Sequence, residues 1–149
     1  LVIAGESRFD TASSHRNIRD AIHAANVTAR CLGWVAPRDL FQVVDALVVP
    51  SRLPESFGLV AAEAMSAGVP VITTDAGALP EVVGPSHPWI ARAGNVQSLS
   101  SVILDFAQTP SAQRHRVIEQ QRLRWLARFS PQVGERSFER LLATFGGGR

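Results

Sequence analysis

Residues 50–68 read PSRLPESFGLVAAEAMSAG, and they divide by chemistry into a strand end, a loop and a helix. The residues leading into the stretch, Ala46 to Pro50, are apolar and β-branched and stop at Pro-Ser, the pattern of a short buried strand. From Leu59 to Ala67, Val60, Ala61, Ala64 and Met65 recur at helical spacing as one apolar face, and Gly68 supplies the stop. Val69 to Thr73 reads as a second buried strand. Strand, loop, helix and strand within so short a span make a parallel βαβ unit, and in open α/β sheets ligands bind beyond the carboxyl ends of the strands. The loop from Ser51 to Gly58 is therefore expected to line a cleft.

That cleft has a definite chemistry. The helix start leaves the N–H groups of Gly58, Leu59 and Val60 without intrahelical acceptors and carries the positive end of the helix dipole, which together attract phosphate. Gly58 is expected to let a ligand come close. Glu63 stands four residues on from Leu59, one turn further in, where a carboxylate accepts hydrogen bonds from vicinal hydroxyls such as those of a ribose. Glu55 lies in the loop on the other side of the N–H cluster, placed to hold the hydroxyls of a second sugar or to meet positive charge at its anomeric carbon. The ligand that satisfies all three features is a nucleoside-diphosphate sugar. Spacing alone also admits a plainer reading, with Glu55 a solvated loop acid and Glu63 a charge on an exposed helix face.

The run Glu55-Ser-Phe-Gly-Leu-Val-Ala-Ala-Glu63, followed by Ala64-Met65, Gly68-Val-Pro-Val-Ile and Gly77-Ala-Leu-Pro-Glu81-Val-Val, closely resembles the retaining glycosyltransferases of family 4. It presents the E-x7-E signature with its flanking segments in order and at family spacing. A weaker resemblance runs from Leu1-Val-Ile-Ala-Gly5 nearly to the end. The resemblance implies an α/β fold: a Rossmann-like parallel sheet with helices on both faces, the carboxyl-terminal, donor-binding half of a GT-B architecture, over residues 1–145 with 146–149 a frayed tail.

By position, Glu55 matches the glutamate placed near the donor-sugar hydroxyls, and Ser56, Phe57, Gly58, Leu59 and Val60 match the segment whose backbone meets sugar and phosphate. Glu63 matches the ribose-binding glutamate. Gly33-Trp34-Val35 resembles a strand-end turn near the nucleotide base, although such a tripeptide reads equally as turn plus core. Two departures stand out. Family members carry a Gly-Gly pair before the Pro-Glu segment, whereas Gly77 is followed here by Ala78. The family's donor domain also opens with a strand and an Arg and Lys loop that clamp the diphosphate; this chain begins at what resembles the second strand, and its 15 basic residues are all arginine. We therefore expect an amino-terminally incomplete donor domain with a gap where the first strand lies.

The remaining chain alternates strands and helices. Strands are expected at Leu1 to Ala4, Ala29 to Gly33 and Trp89 to Ala91. Helices are expected at Ser14 to Ala25, Arg38 to Val44, Ala78 to Val83, Val96 to Gln108 with Asn95 as its cap, Ser111 to Arg128, and Pro131 to Phe145, which resembles the terminal family helix that crosses back onto the amino-terminal domain. At 149 residues, 46% hydrophobic and 19% charged, the composition fits one α/β domain. No repeat, low-complexity tract or linker breaks it.

Several function classes are excluded or disfavoured. Cys31, alone in a strand, reads as a small core residue and fits a reducing cytoplasm. His15, His23, His87 and His115 lack metal-ligand spacing, so neither a metal nor any other cofactor is expected. No Walker loop, dinucleotide fingerprint or catalytic-triad motif appears. Arg114, Arg116, Arg122, Arg124 and Arg128 read as a solvated helix face and not as a nucleic-acid surface, with peripheral contact at the inner membrane face left open. The expected function is transfer of sugar from a nucleoside-diphosphate sugar to a hydroxyl of a sugar, lipid or small-molecule acceptor, this chain supplying the donor site beside an amino-terminal domain. The alternative is a non-catalytic remnant that only binds the nucleotide sugar.

Overall fold

The computed structural model describes residues 1–5 and 20–146. It divides into two compact units, Leu1–Leu40 and Phe41–Arg149. Among the described residues the strands likewise form two separate parallel sheets, one of two strands and one of three.

In the first unit β1 (Val2–Ala4) pairs with β2 (Arg30–Gly33), the register slipping between Ile3 and Ala4. Residues 20–24 are helical, inside the helix expected from Ser14 to Ala25. Residues 14–19 of that expectation, His15 included, and residues 147–149 of the tail lie outside the described residues. The helix closes on Asn26 at φ 50°, a left-handed position that Asn tolerates, with the Val27 N–H donating to the Ile22 carbonyl at 3.5 Å. Cys31 is exposed, contrary to its reading as a core residue. A parallel strand is buried when both of its faces are covered, and three of the four residues of β2 are exposed. The helix expected from Arg38 to Val44 is shorter, α1 (Pro37–Leu40), its first turn closing on the Ala36 carbonyl.

The second unit holds the core. Its sheet has the order β3 (Leu47–Val49), β4 (Val71–Thr74), β5 (Ile90–Ala91). Between β3 and β4 runs α2 (Leu59–Ala67), and between β4 and β5 runs α3 (Leu79–Val83) with Pro80 in its first turn. Then follow α4 (Val96–Gln108), α5 (Ser111–Arg128) and α6 (Pro131–Gly146). α2 ends as expected: Gly68 adopts φ 74°, its N–H donating to Met65 at 3.2 Å while that of Val69 donates to Ala64 at 2.9 Å. The Asn95 cap is also present, its Oδ1 accepting from the Ser98 N–H at 2.8 Å.

All four residues of β4 are buried, so this central strand is covered on both faces. Val71 joins Val49, Ala61, Ala64, Met65, Leu79 and Val82 in one cluster, with Phe41, Val44, Trp125 and Phe129 packed against it. Ile72 points the opposite way along the strand and is buried outside that cluster, and α4 packs on β4 and β5. Val60, expected on the inner face of α2, is exposed; Ala62 is buried in its place. α5 packs against α2, whose buried residues are Ala61, Ala62, Ala64 and Met65.

α5 carries more structure than a solvated arginine face. Arg124 Nε donates to the Val82 carbonyl at 2.9 Å and Nη2 to that of Glu81 at 2.5 Å, closing the end of α3 where carbonyls lack intrahelical donors. Arg114 lies over the Phe106 ring, 5.4 Å from its centroid. Phe106 meets Trp89 edge to face at 4.9 Å, and Trp89 meets His87 at 5.4 Å, a ladder that ties α5 and α4 to the entry of β5. Gln121 of α5 is 3% exposed, and among the described residues its carboxamide has no hydrogen-bond partner.

Two outcomes follow from this packing. Replacing Gln121 by Met removes an unpaired buried amide at nearly constant volume, so chemical denaturation is expected to show the variant equal to the parent or more stable by about 1 kcal/mol. His87 donates from Nε2 to the Val71 carbonyl at 2.8 Å, and burial lowers its pKa below 6.5, opposed by that hydrogen bond. The unfolded chain therefore takes up the proton first. Stability should be fully present above about pH 6.5 and decline as pH falls towards the folded-state value. Tm measured from pH 8 to pH 5 should show this decline, and His87→Gln should flatten it.

Candidate functional site

The loops after β3 and β4 come together at the carboxyl end of the second sheet. Glu55 and Gly77 form an isolated parallel bridge, and the Ala78 N–H donates to the Glu55 carbonyl at 2.9 Å. Gly77 is held at φ 59°, and a Cβ there would lie 2.4 Å from the Glu55 carbonyl oxygen and 2.6 Å from its nitrogen. No side chain fits. Ala78, by contrast, has ordinary right-handed backbone at φ −78°, so its methyl, the departure noted in the sequence, costs the backbone nothing. The close approach belongs to Gly77.

Above this bridge the Glu55 side chain is half-buried and its Oε1 accepts from Ser51 Oγ at 2.8 Å. Among the described residues Oε2 has no partner. Ser51 is itself fixed, its carbonyl accepting from Thr74 Oγ1 at 2.7 Å, and Thr74 is buried at the last position of β4. Asp75 continues the arrangement, its N–H donating to the Ala91 carbonyl and its Oδ1 accepting from the Ala93 N–H at 2.7 Å. Neither Ser51 nor Thr74 stood out in the sequence. The available signal was positional: both are hydroxyl residues at the carboxyl ends of adjacent parallel strands.

The start of α2 sits at the end of the same loop. Gly58 adopts φ 88° and supplies no side-chain cap; its carbonyl accepts from Ala61 and Ala62, while among the described residues the N–H groups of Gly58, Leu59 and Val60 have no acceptor. The glycine is required for a reason other than ligand approach. It is buried, and a Cβ would meet Leu79 Cδ2 at 2.5 Å, so the absent side chain makes room for the core. Phe57 packs edge to face with Phe129 at 5.4 Å, anchoring the loop to the residue that ends α5. Ser56 is exposed, and Leu59 and Val60 present their side chains outward. Glu63 is exposed on α2, about 6 Å along the axis from Leu59. Glu55, the N–H groups and Glu63 thus share one loop and one helix. Gly33, Trp34 and Val35 lie in the first unit, where Gly33 has φ 67° and Trp34 is exposed.

This geometry offers two acceptor-only carboxylates flanking a set of backbone donors, a combination suited to a ligand with hydroxyls on either side of an anion. Its scaffold rests on Gly77. Gly77→Ala is expected to lower stability by about 2 kcal/mol or more, through left-handed strain and the clash with Glu55. Ala78→Gly should cost less than about 1 kcal/mol. Paired denaturation curves check this; an equal response at the two positions would contradict the bridge.

The chain matches the family described as glycosyl transferases group 1 over residues 1–124. It is 40% identical over 73 residues to the D-inositol 3-phosphate glycosyltransferase of Streptomyces scabiei, covering 48% of this chain and 16% of that protein. To the glycogen synthase of Mycobacterium tuberculosis it is 33% identical over 125 residues, 78% of this chain and 28% of that protein. The chain thus spans less than a third of these relatives. In fold it is similar to Anabaena HepE, solved with UDP and glucose, at a TM-score of 0.83 and 22% identity over 95% of this chain and 40% of that one. It is likewise similar to sucrose-phosphate synthase from Thermosynechococcus elongatus, with a TM-score of 0.82 and 24% identity over 100% of this chain and 38% of that one. The expected fold, a parallel α/β arrangement of the GT-B type, is therefore present. With the family model matched over 124 of 149 residues, the chain belongs to the group 1 glycosyl transferases.

Proposed function

We propose that this chain supplies the donor site of a retaining glycosyltransferase, which moves a sugar from a nucleoside-diphosphate sugar to a hydroxyl acceptor. The observation that carries the reading is the uncapped start of α2, with Gly58, Leu59 and Val60 offering N–H groups between Glu55 and Glu63. In this reading the diphosphate lies on those N–H groups, and its charge is met by backbone and helix dipole, with no metal ion or other cofactor assigned. Glu63 accepts the ribose hydroxyls. Glu55 accepts donor-sugar hydroxyls through Oε2, which has no partner among the described residues, and is not a nucleophile.

The acceptor hydroxyl attacks the anomeric carbon on the face from which the diphosphate departs. The C–O bond to the diphosphate breaks, the new glycosidic bond forms, and a phosphate oxygen takes the acceptor proton. UDP and glucose bound to HepE make UDP-glucose the first donor to test, with GDP- and ADP-sugars beside it; sugar, lipid and small-molecule acceptors all suit the scheme. No described helix is long and apolar enough to cross a membrane. A cytoplasmic enzyme meeting the inner membrane face through the exposed arginines of α5, Arg116, Arg122 and Arg128, is the arrangement we favour.

The test uses the protein at its native length. Glu63→Ala should weaken nucleoside-diphosphate binding by about 10- to 100-fold in calorimetric titration, the loss of one charge-assisted hydrogen bond or two. Glu55→Ala should leave that binding within about twofold while reducing turnover by about 100-fold, since it touches the sugar and not the nucleotide. Unchanged turnover in both variants would remove the assignment. Binding without transfer in the parent protein, across donors and acceptors, would favour the non-catalytic remnant.

A further inference from the structure

The Glu55 carboxylate is held on one side only. Ser51 Oγ donates to Oε1 at 2.8 Å, while among the described residues Oε2 has no partner. The main chain that carries the hydroxyl is fixed to the central strand, because the Ser51 carbonyl accepts from Thr74 Oγ1 at 2.7 Å and Thr74 is 3% exposed. The Glu55 main chain is fixed independently by the Ala78 N–H and by the backbone contact at Gly77. A glutamate side chain has three rotatable bonds, and a lone loop carboxylate samples many rotamers. Here one oxygen is tied to the sheet, so the other is presented in one direction.

We propose that Ser51 is a positioning residue, acting through a Thr74–Ser51–Glu55 relay that carries the rigidity of β4 to the carboxylate and reserves Oε2 for a donor-sugar hydroxyl. The proposal rests on the donor-site reading given above. It adds a division of labour: Glu55 touches the sugar, and Ser51 and Thr74 decide where Glu55 points. A charge-assisted hydrogen bond that only orients a catalytic contact is expected to act on turnover more than on nucleotide binding.

The experiment compares Ser51→Ala, Ser51→Thr, Thr74→Val and Glu55→Ala in the native-length protein. UDP-glucose, GDP-mannose and ADP-glucose serve as donors, with release of the nucleoside diphosphate as readout. Ser51→Ala should lower kcat by about tenfold with KM for the donor within about twofold, Ser51→Thr should restore most of it, and Thr74→Val should fall between. Independently of turnover, the Glu55 carboxyl-carbon resonance should move in Ser51→Ala while that of Glu63 stays in place. Parental kcat in Ser51→Ala, or an unmoved Glu55 resonance, overturns the relay. So does a loss that Ser51→Thr fails to restore and that accompanies a lowered Tm, which would make Ser51 a structural residue. Parental turnover in Glu55→Ala instead overturns the donor-site reading, whatever Ser51 does.

Discussion

Everything at the carboxyl end of the second sheet depends on one contact between two stretches of backbone. At Gly77 the chain leaving β4 passes so close to Glu55 that a single added carbon would fall 2.4 Å from the Glu55 carbonyl oxygen. The bridge joins the loop after β3 to the loop after β4, and it holds because φ 59° is cheap for glycine alone. A few residues away Gly58 repeats the device against Leu79, where the missing side chain lets a core leucine reach beneath the helix start. Both glycines remove bulk between backbone and protein. Neither is there to give the loop freedom, and the result is a loop held from two sides.

The rigidity of that loop comes from the strand beneath it. β4 is buried along its whole length, an arrangement that needs a helix layer on each face and a hydrogen-bonded strand on each edge. Its last residue, Thr74, completes its ladder to Ala91 and also holds Ser51. The best-packed strand of the unit is thus the one that touches the loop carrying Glu55. α5 supports the same region from the outside, through Phe129 on Phe57 and through Arg124 on the end of α3.

Much of this was legible in the sequence, and the reasons differ by element. The limits of α2, α4 and α5 coincide to the residue with those expected, because each has a chemical stop or start: Gly68, Asn95 and Pro110. The E-x7-E spacing already put two glutamates either side of a helix start. Other features depended on contacts that no local pattern records. Helical spacing puts Val60 on the inner face and it is exposed, since a helix of nearly uniform apolarity does not reveal which of its residues are covered. A lone cysteine in an expected buried strand reads as core, yet Cys31 is exposed, because burial requires a covering layer. Arg124 resembled its solvated neighbours until α3 supplied carbonyls for it. The Ser51 to Glu55 contact joins residues four apart through a loop with no periodicity.

The start of α2 shows why stability and binding pull in different directions here. A Ser, Thr, Asp or Asn at the N-cap satisfies a helix N–H and contributes about 1 kcal/mol over alanine, though only a few tenths over glycine. Gly58 offers no side-chain acceptor, although α4 in the same chain carries its Asn95 cap. A capping side chain at Gly58 would have to displace Leu79 and would occupy the donors that face outward. α2 tolerates the omission because four of its nine residues are buried alanine and methionine packed in the core cluster, so its helicity is secured by tertiary contacts and by the Gly68 stop, without an N-cap side chain. A surface helix of nine residues would fray without a cap. This one stays folded with its first N–H groups unclaimed among the described residues, the condition a backbone anion site requires.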